Sequence, residues 1–133
     1  MKKYISLLFA SLFLFALMSF VSRSQDDPWS VPDKYKNMPI PVKSDEASIA
    51  SGKALYNQHC KSCHGTKGKG DGPKAEQLNT ECGDFTKAGF VKQTDGEIFY
   101  KTSEGRKDMP SFKKKIADQN DIWAVVNYIR TLK

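Results

Sequence analysis

Cysteine is scarce in this 133-residue chain: Cys60, Cys63 and Cys82 are the only three. An odd number argues against a framework in which every thiol is paired in a disulfide. Long hydrophobic runs are also scarce, with one almost unbroken apolar stretch from Ile5 to Val21. Nothing between Asp45 and Lys133 alternates as a strand does, and neither an internal repeat nor a low-complexity tract is present. The fold class expected is therefore all-α.

What is abundant is positive charge: 21 Lys and Arg against 15 Asp and Glu, a formal +6 that invites a polyanionic partner. The N-terminus accounts for half of it. Lys2 and Lys3 precede the apolar stretch and Ser22-Arg23-Ser24 follows it, which is the layout of an export signal over Met1–Ser24. Without Lys2, Lys3 and Arg23, 18 basic groups face 15 acidic ones and the balance falls to +3. No nucleic-acid partner is expected. This 17-residue stretch is long for a cleaved signal and short of the roughly 20 residues that a spanning helix needs. No Ala-x-Ala site is present, although Ser22 and Ser24 offer a small pair, and a retained membrane anchor over residues 5–21 is the alternative. No Cys lies here, which excludes a lipid anchor. In either case residues 25–133 work outside the cytoplasm, in the periplasm or on the periplasmic side of the membrane.

A domain this small and polar needs a staple such as a metal or cofactor. Residues 25–44 hold Pro28, Pro32, Pro39 and Pro41, four of the six prolines, and read as a non-helical arm. Trp29, Val31, Tyr35 and Ile40 give it material to lie on the domain; a loose tether is the other reading. The domain proper spans residues 45–133. Its first helix is expected over Glu46–His59, with Ile49, Ala54 and Tyr56 as candidate buried residues. Gly52 inside it implies close packing. Thr94-Asp95-Gly96-Glu97 is a capping box for a second helix ending by Gly105. Asp118 caps a third, in which Ile122, Val125, Val126, Ile129 and Leu132 recur at helical spacing, flanked by Trp123 and Tyr128.

Cys60-Lys61-Ser62-Cys63-His64 is the C-x-x-C-H pattern of c-type haem attachment. Shuffling this composition would produce it about seven times in ten thousand. On a helical turn, residues i and i+3 share a face, so both sulfurs reach one porphyrin edge and the adjacent His64 is placed to ligate iron. Three other chemistries compete. A thioredoxin-like dithiol needs a preceding strand and a βαβ unit, which are missing. A zinc site drawn from Cys60, Cys63, Cys82 and His59 or His64 has irregular spacing. A Cys60–Cys63 disulfide leaves His64 and Cys82 unexplained.

With Gly52 and Tyr56 before this motif, Gly72-Pro73 and Met109-Pro110 after it, and Val125, Tyr128 and Ile129 in the closing helix, residues 45–133 resemble a class I c-type cytochrome, a monohaem domain. The resemblance implies a small helical fold wrapped around one covalent haem c with its iron, and an electron carrier rather than an enzyme, with a respiratory chain as its setting. It implies that the first and last helices cross at Gly52. Met38 and Met109 both precede proline, and the resemblance selects Met109 as the sixth ligand and leaves Met38 to packing. It also names the Pro73 carbonyl as acceptor for the His64 N–H. Residues 65–72 lack the ending of a phosphate loop, and their glycines suit a backbone that wraps the haem edge.

His59 reads as a partly exposed helix residue. Cys82 departs from the family pattern and reads as an inert thiol, with pairing to another chain as the alternative. Lys113, Lys114 and Lys115 either dock acidic redox partner proteins or form a solvated loop. The rival function is a haem domain with a labile sixth ligand that binds a gas or reduces peroxide.

Overall fold

A computed structural model describes residues 29–132. The export signal and the anchor alternative lie outside those residues. From Val31 onward the chain forms one compact unit. Its helices are α1 (Asp33–Lys36), α2 (Glu46–His59), α3 (Lys61–His64), α4 (Ala88–Val91), α5 (Asp95–Glu104) and α6 (Gln119–Ile129), with a 3₁₀ turn at Ala75–Gln77. Among the described residues the only β pairing is an isolated bridge between Arg106 and Met109. The all-α expectation holds, and no described helix is long and apolar enough to cross a membrane.

The three expected helices start where their caps predict. Asp45 accepts the Ser48 N–H at 3.0 Å to open α2. Thr94 and Glu97 close a reciprocal box on α5 at 3.2 and 2.7 Å, and Asp118 accepts from Asn120 at 2.8 Å on α6. Each bond satisfies a first-turn N–H that the helix itself leaves open. Gly105, at φ 69°, ends α5.

Helix α2 buries little besides Gly52 and Tyr56. Ala54, expected inside, is exposed, while Leu55 is half-buried against the core. Two positions beyond Gly52 is some 200° around a helix, which puts Ala54 on the opposite side. Helix α6 is the reverse case: every residue from Ile122 to Ile129 is buried, because α2 packs on one side and α5 on another. Trp123 stacks on Phe99 of α5 with centroids 4.3 Å apart. Tyr128 meets Tyr56 of α2 at 5.2 Å.

The proline-rich arm, expected to be non-helical, contains α1. Pro32 is its N-cap, where a missing N–H costs nothing, and no proline falls between Asp33 and Lys36. From Val31 onward the arm lies on the core rather than hanging as a loose tether. Val31 is buried, and Tyr35, Met38, Ile40 and Val42 pack against the hydrophobic cluster. The Tyr35 ring contacts Tyr100 at 4.7 Å. Buried Asn127 of α6 donates to the Val42 and Lys43 carbonyls at 3.3 and 3.4 Å and to Ser48 Oγ at 2.9 Å, tying arm, α2 and α6 together.

At Gly52 the two longest helices touch backbone to backbone: a Cβ placed there would run into the Ala124 carbonyl. Gly52→Ala, though it adds a better helix former, is expected to lower stability by about 1–3 kcal/mol through overpacking. Denaturant unfolding of the haem-loaded protein measures it, and an unchanged midpoint would show that the helices separate freely at this position.

Candidate haem site

Helix α3 is one turn long and carries the attachment motif. The Cys60 carbonyl accepts from Cys63 N–H at 3.1 Å and His64 N–H at 2.9 Å, and the Lys61 carbonyl accepts from Gly65 at 2.9 Å. This is the turn the spacing calls for, with Cys60 and Cys63 on one side and His64 leading into Gly65. Gly65 has φ 78°, which lets the chain reverse directly after His64 where a Cβ would run into the Asp71 carboxylate. Its carbonyl accepts the Tyr56 hydroxyl at 2.7 Å. The loop then folds back on α3, with Gly70 N–H bonded to the His64 carbonyl at 3.0 Å, Gly72 to Cys63 at 3.1 Å and Lys74 to Ser62 at 2.9 Å.

Burial sets the chemistry of these groups. Cys60 is buried, and desolvation with some help from Cys63 pushes its thiol up to about 12, so it is neutral at ordinary pH. Burial lowers the His64 pKa, partly opposed by the Gly83 backbone. The imidazole is therefore neutral, the form that ligates a metal. His64 Nδ1 is buried with no hydrogen-bond partner, Pro73 included. A buried polar atom without a partner costs about 1–3 kcal/mol. Together with two unpaired thiols one helical turn apart, it marks a site whose residues fit a covalently held iron porphyrin. The zinc alternative has no comparable support: among the described residues, no three His, Cys, Asp or Glu side chains are placed to hold a metal ion.

Met109 is half-buried against the core, in the loop between α5 and α6. Arg106 and Met109 exchange two backbone bonds at 2.8 and 3.0 Å, with Lys107 in the left-handed region at φ 53° between them. Asp108 Oδ2 accepts the Thr80 N–H at 2.8 Å, which ties the Met109 loop to the segment ahead of Phe85. Met38 instead packs in the arm, its Cβ beside Gly96 at the start of α5. His59 is half-buried with its ring 5.9 Å from Phe112.

The aromatic stack behind His64 escaped the sequence reading. Phe85 is buried and stacks on the His64 ring at 4.7 Å, and Phe90 stacks on Phe85 at 4.5 Å. No periodicity announces Phe85, because it lies in a loop; the proximity is made by Phe85 N–H bonding the Gly68 carbonyl at 2.7 Å. Cys82 is half-buried with its backbone against Gly70, and burial followed by Cys63 and Asp108 raises its thiol pKa. The same burial favours the neutral form of this thiol, which lies beside the attachment loop. Of the lysine run, Lys113 is paired with Glu104 at 2.7 Å and Lys115 lies over the Phe112 ring at 5.5 Å.

Comparison with known proteins agrees with this geometry. The family model described as cytochrome c oxidase, cbb3-type, subunit III matches residues 47–129. Among solved structures, a chain of the Kuenenia stuttgartiensis reducing HAO-like protein complex Kustc0457/Kustc0458 is similar at TM-score 0.63 and 28% identity. The alignment covers 69% of this chain and 46% of that one, so this chain spans under half of that neighbour. A structure titled KustC0563 c-type cytochrome is similar at TM-score 0.54 and 33% identity, over 62% of this chain and 96% of that one. No curated protein matches. Helices without a strand among the described residues, a C-x-x-C-H turn with an unpartnered buried histidine nitrogen, and a family match over most of the domain lead to one conclusion: the chain belongs to the class I c-type cytochrome family, whose work is electron transfer.

Proposed function

We propose that this cytochrome holds one haem c through thioether bonds to Cys60 and Cys63, with His64 and Met109 as axial ligands. It shuttles single electrons outside the cytoplasm, in the periplasm, within a respiratory chain. The observation that carries the reading is the α3 turn, which sets both thiols and the buried, unpartnered His64 nitrogen at one place. When bound, the haem supplies the Fe(III)/Fe(II) couple; the protein supplies position, burial and a thioether ligand that favours the ferrous state.

Each residue has a task in that scheme. The Tyr56 hydroxyl fixes the Gly65 turn and so the start of the loop behind His64. Pro73 follows Gly72, which bonds back to Cys63, and its carbonyl is the acceptor proposed for the His64 N–H once a metal orients the ring. The Thr80–Asp108 bond holds Met109's loop in register with the His64 side. No acid, base or nucleophile is assigned, and the partners are redox proteins. The export signal over Met1–Ser24 would deliver the chain to the compartment where these partners work.

Co-expression with a haem-attachment system tests the cofactor. The purified chain is expected to give a pyridine haemochrome spectrum of one haem c that survives denaturation. Cys60→Ser/Cys63→Ser is expected to lose it and to be largely unfolded by circular dichroism, since the haem completes a core too small to stand alone; a cooperative melt without haem would refute that. Met109→Ala is expected to abolish the weak long-wavelength sulfur-to-iron band of the ferric protein and to lower the reduction potential. If the wild type lacks the band, the sixth ligand is labile or different and the gas-binding or peroxide-reducing reading takes over.

A further inference from the structure

The residues behind His64 lead to the surface. The Phe85 ring stacks on His64 at 4.7 Å with an interplanar angle of 29°, and Phe90 stacks on Phe85 at 4.5 Å and 28°. Phe90 therefore lies within about 9 Å of the His64 ring, with packed aromatic carbon between them and no room for water. Phe90 belongs to α4, and α4 turns small or apolar residues outward there. Ala88 and Gly89 are exposed, and Val91, 42% exposed, is the large hydrophobic residue left most open to solvent among the described residues. A side chain added at Gly89 would meet nothing within 4 Å, so the approach is open.

The rim is basic. Lys87 and Lys92 flank α4 and are exposed. Lys69 is exposed on the loop whose Gly68 carbonyl holds Phe85, close enough to act on the Asp84 carboxylate. Asp84 is the acid among them, 3.8 Å from Lys87 and bonded by the Thr86 N–H and hydroxyl at 2.8 and 2.7 Å. Three lysines around one internally satisfied carboxylate leave the face net positive.

The face is also rigid. Arg130 at the end of α6 bonds the Val91 carbonyl at 3.4 Å, the Gln93 carbonyl at 2.5 Å and Asp95 at 2.6 Å. A four-residue helix has no stability of its own, so this clamp is what keeps α4 in place. By contrast, the Lys113–Lys115 run has one lysine neutralised by Glu104 and one folded over Phe112.

We propose that the α4 face, with Val91 and Gly89 at its centre and Lys69, Lys87 and Lys92 at its rim, docks an acidic redox protein and places it against the His64–Phe85–Phe90 stack. This rests on the electron-carrier reading above. Apolar contact at the centre supplies short-range attraction, and the lysines steer an acidic partner in and make association sensitive to salt. One electron passes from the reduced partner to the ferric protein, or back, with no proton or group transferred.

The test uses the isotope-labelled haem-loaded protein and an acidic [2Fe–2S] ferredoxin as probe. Amide shifts on titration are expected at residues 87–93, and Val91→Glu is expected to weaken binding and slow reduction by the ferredoxin about tenfold at low ionic strength, with the gap closing in high salt. Lys113→Gln/Lys114→Gln/Lys115→Gln is expected to do neither. Val91 is exposed, so folding should be intact, and identical absorbance spectra and reduction by dithionite check this. Shifts confined to residues 106–115, or a normal Val91→Glu protein beside a slowed lysine variant, would overturn the α4 assignment alone. A wild-type protein that neither dithionite nor ferredoxin reduces would overturn the electron-carrier reading itself.

Discussion

The contact on which the rest depends is the backbone approach of α2 to α6 at Gly52 and Ala124. It is a steric constraint with a chemical result. Because the helices meet this closely, Tyr56, one turn further along α2, is driven fully inside and packs on Tyr128. From there its hydroxyl donates to the Gly65 carbonyl, immediately after His64. A residue twelve positions before the histidine thus determines where the histidine's loop begins. The tyrosines and the glycine act here through position alone: they set where the His64 loop begins. Burial also holds the Tyr56 phenol far from ionisation, so this donor is constant across the physiological range.

A second constraint joins the two sides of the proposed haem site. The segment between the 3₁₀ turn and α4 has no regular structure, and it is pinned at both ends: Thr80 to Asp108 beside Met109, and Phe85 to Gly68 behind His64. Buried backbone groups in a loop must find partners somewhere, and here they find them on the two segments that carry the proposed axial ligands. The loop acts as a strut between those ligands. Small reorganisation on electron transfer requires that both stay in place in both oxidation states, and two short bonds from one segment couple their positions.

Much of this was legible in the sequence. Caps at Asp45, Thr94 and Asp118 gave correct helix starts because capping is a local interaction between residues two or three apart. Gly52 was readable as a close approach because a glycine inside a helix has a cost that something must offset. The C-x-x-C-H turn was readable because its chemistry requires adjacency in the chain. What was not legible is what depends on distant partners. Ala54 could not be told from Leu55 as a core residue, since the burial of α2 is set by where α6 lies. The Phe85 and Phe90 stack joins residues with no shared period, and the helical turn in the arm depends on Tyr35 finding Phe99 and Tyr100. The charge balance was misleading in a different way: half of it lies in residues 1–24, and the lysine run that stood out is partly neutralised in space.

Arg130 shows how such distant partners organise the domain. It stands at the C-terminal end of α6, where the helix leaves carbonyls unsatisfied and a cation is favourable. The same guanidinium serves the end of α4 through Val91, the linker through Gln93 and the first turn of α5 through Asp95. Its planar set of five donors can bridge three acceptors that point at it from different segments, which a lysine ammonium on a flexible stem would not hold in one geometry. Side-chain exposures of 23% for Arg130 and 35% for Asp95 place the pair between surface and interior. Desolvation there is partial, so the pair is not burdened by the full cost of a buried charge. The last helix, already tied to α2 through Gly52 and to the arm through Asn127, is tied by this residue to α4 as well. One helix therefore references both the His64 loop and the surface that Phe90 underlies, and the distance between His64 and that surface is fixed by the same core that positions His64.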